Sequence, residues 1–381
     1  MARTITWDEL RGLAAFEAKA GRAISLYLDL DPSVSPTPTE AHTRLNSLLD
    51  QAAKSAAATS ERLTHTEREA LRSDFDRVRR YSDREFIRDG ARGLAVFCDT
   101  PDGLWAVMPL IDSVRDEIRI DTRLYLAPLA PLVGRGDGAL VVVASREQGR
   151  FYRLRQGRLE DLTDLSDEQP RRHDQGGWSQ ARFQRHVDEL AVEHLRRVAD
   201  ELDKVVRRAH GKVDVVVMSP DETWAELSGF LSQPVRAALA GWTQAEAHAS
   251  SAELLELATP VLDRARAEQE RALMERWREE AGRNGRAAAG WADTLAAVSD
   301  GRVETLLLSD GADREAWRCP QCGRASADAG DCPLDGTTME RVEKGADAAV
   351  HQALRHGGTV WVARAAQDLG PAEGIGALLR Y

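Results

Sequence analysis

Residues Arg171–His186 read RRHDQGGWSQARFQRH, a basic entry followed by two adjacent glycines and then by a helix start. Phe183, Val187, Leu190, Leu195, Val198, Leu202 and Val205 recur at steps of three to five residues, which predicts a helix over 179–208. Gly176 and Gly177 permit backbone conformations and close approaches that a Cβ would forbid. The unpaired N–H groups of the first helical turn suit a phosphate or another anion. Arg171, Arg172, Arg182 and Arg185 add positive charge around this tip in an otherwise acidic chain. Two readings are open for it: a plain surface loop with Ser179 capping the helix, or a basic tip that reaches into RNA.

The flanking segments set the fold class. Residues 139–145 (ALVVVAS) and 213–218 (VDVVVM) are continuous apolar runs, and 149–155 with 158–162 form a hairpin about Gln156-Gly157. Buried strands alternating with helices indicate an α/β sheet covered on both faces. Helices are expected over 222–231 and 234–240, then a long charged helix over 251–282. Its Arg264–Glu280 segment reads as a solvated, ion-paired face.

The N-terminal third reads as a mixed α/β domain. Thr6-Trp7-Asp8-Glu9 is a capping box opening a helix to about Ala20. Ile24, Leu26, Leu28 and Leu30 alternate with Ser25, Tyr27 and Asp29, the pattern of a half-buried strand. Helices over 39–59 and 66–85 follow, then strands over 93–98, 104–110 and 117–124. Cys98 reads as core, and Asp29, Asp31 and Asp99 as turn formers. Pro128, Pro131 and the Gly134–Gly138 run mark a boundary.

The last third is expected to alternate helix and strand as an αβα domain, ending in Gly374-Ile375-Gly376-Ala377-Leu378-Leu379-Arg380-Tyr381. It carries Cys319-Pro320-Gln321-Cys322 and, nine residues on, Cys332-Pro333-Leu334-Asp335. Each half resembles one knuckle of a zinc ribbon, presenting its first and fourth positions to one metal. Cys319, Cys322, Cys332 and Asp335 are therefore the candidate zinc ligands, with Asp where a fourth Cys is expected. That departure also fits a site that has ceased to bind metal. The expected zinc is structural, since so small an insert has almost no core of its own. No neighbouring general base or open coordination position suggests a catalytic one.

The whole chain of 381 residues is expected to hold three domains, 1–130, 138–282 and 285–381, with the insert at 317–339. Four cysteines argue against a disulfide framework and for the cytoplasm. No apolar run approaches the roughly 20 residues of a membrane span, and the N-terminus lacks a signal-peptide core. A net charge of −11 counts against wholesale coating of nucleic acid and leaves room for a local basic contact.

Three features in this order resemble the archaeal–eukaryotic class-1 release factor and Pelota superfamily, in particular its bacterial branch. They are the tip, the ribbon-like insert and the GIGALLRY ending, and the resemblance covers about Ala139 to Tyr381. Arg172, His173, Gly176, Gly177, Ser179, Arg182, Phe183 and Arg185 fall on the release-factor pattern of a basic entry, Gly-Gly-Gln, Ser and Arg-Phe-x-Arg. The resemblance implies an RNase H-like α/β middle domain and action at the A site and peptidyl transferase centre of the ribosome. It also implies contact with ribosomal RNA and peptidyl-tRNA. In release factors the Gln after Gly-Gly positions the hydrolytic water. Here that position is Trp178, whose indole has one donor and no acceptor.

Two functions follow from the resemblance. One is an A-site-occupying ribosome hibernation or rescue factor, similar to a hibernation factor of the superfamily that works with elongation factor Tu; that factor or another translational GTPase is then a partner. In that case Trp178 stacks on a base or anchors the loop on its own domain. The other is a peptidyl-tRNA hydrolase in which a displaced glutamine, Gln180 or Gln175, activates water. The absence of a motif resembling the stop-codon reader argues against codon-specific termination.

Overall fold

The computed structural model describes residues 5–58, 63–88, 90–134, 138–155, 157–166, 178–209, 213–246, 248–363 and 369–381. They gather into two compact units, one made of residues 1–135 with 271–381 and the other of residues 136–270. The structure is mixed α/β, with a four-stranded sheet in each half of the first unit, a three-stranded sheet in its insert, and a five-stranded sheet in the second unit.

The N-terminal part of the first unit holds α1 (Trp7–Ala14), β1 (Ala23–Asp29), α2 (Pro38–Ala58), α3 (His65–Arg84), β2 (Gly93–Asp99), β3 (Leu104–Leu110) and β4 (Glu117–Asp121). Thr6 and Glu9 close the capping box of α1 as their spacing predicts. The helix ends at Ala14, short of the expected Ala20. The cause is tertiary: Ala18 N–H bonds Thr122 C=O at 2.7 Å and Glu17 bridges Arg123, so the chain leaves the helix to pair with the end of the sheet. The sheet runs β3-β2-β1-β4, all antiparallel. Ile24, Leu26, Leu28 and Leu30 pack against α2 and α3 through Leu45, Leu49, Phe75 and Val78. Cys98 is buried in that core, where burial pushes its thiol pKa up; the thiol donates to Asp74 at 3.2 Å. Asp31 accepts from Ser33 N–H at 2.9 Å, a turn-forming role.

β1 is buried on both faces, contrary to the half-buried strand its alternation predicts. Tyr27 and Phe97 join one core with Trp291, Leu295, Leu306 and Val350 of the C-terminal part. The polar atoms are satisfied on the way: Tyr27 Oη donates to Tyr125 C=O, and Ser25 Oγ accepts from Tyr125 N–H at 2.9 Å. A polar residue whose hydrogen bonds are met can stand inside at modest cost.

The second unit contains β5 (Leu140–Ala144), β6 (Gln148–Arg155), β7 (Arg158–Ser166), α4 (Trp178–Arg208), β8 (Val215–Met218), α5 (Asp221–Phe230), α6 (Gln233–Ala238) and β9 (Leu239–Thr243). The strand order is β7-β6-β5-β8-β9, with β5, β8 and β9 parallel. Alternate residues of the valine runs serve two cores. Val142, Val215 and Val217 meet Leu195, Val198 and Leu202 of α4, whereas Val141, Val143 and Val216 meet Leu254, Ala258 and Val261 of α7 (Ser251–Gly282). That two-sided coverage explains why these strands are apolar at every position. The helix expected over 234–240 ends at Ala238, and Leu239–Thr243 continue as an edge strand bonded in parallel to β8.

The C-terminal part of the first unit has β10 (Ala287–Ala289), α8 (Trp291–Ser299), β11 (Val303–Ser309), β12 (Ala316–Arg318), β13 (Ala325–Ser326), β14 (Glu340–Val342), α9 (Gly345–Arg355), β15 (Thr359–Ala363) and β16 (Ile375–Leu379). Its sheet runs β10-β16-β11-β15, so the GIGALLRY ending is an internal strand. The N-terminal stretch and this one, expected as separate domains, share the core described above. They are also tied by α9: Asp347 Oδ1 accepts from Leu126 and Ala127 N–H at 2.7 and 2.9 Å, and His351 Nε2 lies 2.6 Å from Leu124 C=O.

Candidate functional site

Two places hold the residues singled out by the sequence. The first is the connection from β7 into α4. Arg171, Arg172, His173, Gln175, Gly176 and Gly177 lie outside the described residues. The backbone of Trp178, Ser179, Gln180 and Arg182 forms the first turns of α4, one residue earlier than the spacing predicts; their side chains lie outside the described set. Arg185 is exposed on the second turn. Asp188, one turn on, is held by Arg146 at 2.8 Å, which ties α4 to the turn between β5 and β6. His194 is buried deeper in the helix, and Leu195, Val198 and Leu202 fasten it to the sheet. The start of α4 is thereby mounted on a helix fastened to the sheet.

The second is the pair of knuckles between β12 and β14. One ligand-type atom from each of Cys319, Cys322, Cys332 and Asp335 lies within 4.8 Å of the other three. Cys322 Sγ is 3.5 Å from Cys332 Sγ, and Cys319 Sγ is 3.4 Å from Asp335 Oδ2. A tetrahedral ion with bonds of about 2.3 Å to sulfur needs donor separations of about 3.8 Å, which this set approaches. The two knuckles have the same backbone. Gly323 follows Cys322 at φ +78° and returns its N–H to Cys319 C=O at 2.9 Å; Gly336 follows Asp335 at φ +71° and returns its N–H to Cys332 C=O at 2.8 Å. A left-handed residue is needed at both places, and glycine adopts it without strain. Asp335 therefore stands structurally where the fourth Cys of a symmetric pair would stand. Gly323 escaped the sequence reading, although its place one after Cys322, matching Gly336 after Asp335, was a usable signal.

The electrostatics suit a cation. Asp335 is held well below the usual carboxylate range, chiefly by Thr337 N–H at 3.0 Å. Burial, with the neighbouring thiols and Asp335 adding to it, pushes Cys322 up to about 12. A thiol so placed gives up its proton most readily to a metal. The donors fit a metal ion, and the apolar support around them is small: Cys319, Cys332 and Met339 with Trp317 and Cys322. No helix among the described residues is long and apolar enough to cross a membrane.

Comparison with known proteins shows similarity over part of the chain. Residues 125–263, which include the Gly-Gly connection, match the family described as Bacterial archaeo-eukaryotic release factor family 10. Peptide chain release factor subunit 1 of Archaeoglobus fulgidus is 28% identical over 232 residues, 59% of this chain and 55% of that protein. The same factor of Methanopyrus kandleri is 28% identical over 213 residues, 54% and 51% of the two chains. The chain thus spans about half the length of the curated relatives it matches. A solved ribosome-bound archaeal Pelota is similar at 16% identity, with 73% of this chain and 72% of that one covered at a TM-score of 0.41. Residues 125–263 are therefore release-factor-like, similar to a bacterial family of archaeo-eukaryotic release factors.

Proposed function

We propose that this chain is a cytoplasmic ribosome-binding factor of the hibernation or rescue type. It occupies the A site and presents Gly176-Gly177-Trp178 to the peptidyl transferase centre. The observation that carries the reading is the family match over residues 125–263, the segment holding the loop and the helix that supports it. Trp178 sets its direction. An indole cannot accept a hydrogen bond from water, but it offers a stacking face to a base. Arg171, Arg172, His173, Arg182 and Arg185 neutralise ribosomal RNA phosphates around the tip, with Ser179 at the helix start. A translational GTPase such as elongation factor Tu is the delivering partner. In the insert, zinc held by Cys319, Cys322, Cys332 and Asp335 is structural.

The test uses the purified chain with vacant ribosomes and with ribosomes carrying labelled peptidyl-tRNA, scoring co-sedimentation and peptide release together. Binding to ribosomes without release above the spontaneous rate is expected. Arg182→Glu with Arg185→Glu should weaken binding and flatten its dependence on log salt by about two. Release that disappears in Gln180→Ala or Gln175→Ala while binding persists would replace this reading with a peptidyl-tRNA hydrolase. Absence of binding to either sample, or binding indifferent to the double charge reversal, would overturn it.

A further inference from the structure

We propose a binding site for a phosphate-bearing ligand in a cleft of the first unit, bounded by the end of β4, the knuckle insert and α9. It is independent of the Gly-Gly loop and shares no residue with it. The cleft encloses about 910 Å³, a volume that accommodates a nucleotide-sized molecule. Arg119, Arg123, Arg318, Arg341 and Lys344 reach its wall, interleaved with carboxylates that include Glu17, Asp121 and Glu343.

The cations fall into two groups. Arg119 is held by Glu117 at 2.8 Å and Glu343 at 2.9 Å; Arg341 is held by Glu315, and Lys344 by Asp313 at 3.0 Å. Arg123 and Arg318 differ. Their side chains are only 13% and 15% exposed, and each has a single carboxylate contact among the described residues, at ion-pair rather than close hydrogen-bond distance. Arg123 meets Glu17 at 3.5 Å and Arg318 meets Asp121 at 3.6 Å. Arg355 stands beside them with one nitrogen on Cys322 C=O at 2.7 Å.

Arg123 is packed on the insert itself. A Cβ at Gly323 would lie 3.0 Å from both of its terminal nitrogens. Its guanidinium pKa is lowered by burial first, then by Arg318, with Arg355 adding a smaller push. A guanidinium has five N–H donors in a fixed fork, and one long carboxylate contact does not use them all; Arg123 and Arg318 both line the cleft. Two crowded, desolvated guanidiniums are best matched by an anion that accepts from both at once. A phosphate group, with several oxygens around one centre, meets that demand better than a carboxylate.

The test is titration calorimetry of the full chain at low salt with inorganic pyrophosphate, adenosine triphosphate and a short single-stranded RNA. At least one probe should bind saturably, and Arg123→Ala with Arg318→Ala should weaken it about tenfold or more. Glu17→Gln removes a competing carboxylate and should tighten binding about two- to fivefold. Binding of the small phosphates identifies a soluble ligand, and binding of RNA alone identifies a phosphodiester backbone. No saturable binding of any probe overturns the proposal. So does binding that the Arg123/Arg318 variant leaves unchanged, or that Arg182→Glu with Arg185→Glu removes instead. Should the double alanine variant fail to fold, Glu17→Gln decides: tighter binding sustains the site, and unchanged or weaker binding removes it.

Discussion

Cys332→Ser should strip the insert of its metal and unfold residues 316–342. The wild-type chain should purify with about one zinc per chain by elemental analysis, and the variant with almost none. The apolar cluster at the knuckles themselves is three buried residues, two of them candidate ligands, while Ala316, Ala325 and Ala327 pack on the core of the first unit, so coordination is expected to carry the folding of the knuckles. Binding of a structural zinc supplies on the order of 10 kcal/mol to a segment of this kind. The loss should spread, because the knuckles are fastened to the helices behind them. Arg355 donates to Cys322 C=O at 2.7 Å, Gln352 Nε2 donates to Gly323 C=O, and Ala325 N–H donates to Ser299 Oγ at 3.0 Å. Limited proteolysis should then cut the variant within the insert, and a chelator should do the same to the wild type. Asp335→Cys should keep the metal and hold it more tightly, since it restores a thiolate to an equivalent position. Wild-type protein that is free of zinc and still protease-resistant would end the structural-metal account.

The second large effect is expected at Trp277, on the last turns of α7. It is 5% exposed, and its Nε1 donates to Ala288 C=O at 3.0 Å. Its ring lies against Gly376 so closely that a Cβ there would come within 2.8 Å. Met274, Leu307, Leu369 and Leu378 complete this core. Trp277→Ala should cost about 3–5 kcal/mol in urea unfolding, as deletion of a buried aromatic does. Gly376→Ala should cost about 1–3 kcal/mol by forcing the ring aside. In the double variant the new methyl occupies space the indole has left, so the combined loss should fall short of the sum. A Trp277→Ala loss below about 1 kcal/mol, or strict additivity, would mean that the ring is not what closes this face.

Gly376 shows how a sequence feature and its reason come apart. The GIG pattern is visible in the chain, but the indole that demands a glycine there lies about a hundred positions away. The knuckle ligands were legible because coordination imposes a local spacing, first and fourth, that survives in one dimension. The equivalence of Asp335 to a cysteine was not, since it rests on two matching hydrogen bonds and two left-handed glycines. The Arg123–Arg318 cleft left no local trace at all, because its members come from distant segments that only packing unites.

The sequence by itself determined the element types and most of their places. Valine runs read as buried strands, the 3.6-residue period set the long helix after Gly177, and Thr6 and Glu9 capped α1 as their spacing required. These signals are local, since backbone geometry and burial on one face act over a few residues. The tertiary structure alone decided the rest. It buried Tyr27 and Ser25 by meeting their hydrogen bonds, ended α1 early to pair Glu17 with Arg123, and added Leu239–Thr243 to the edge of a parallel sheet. It also joined residues 1–135 and 271–381 around one core, because each part presents an apolar face that only the other covers.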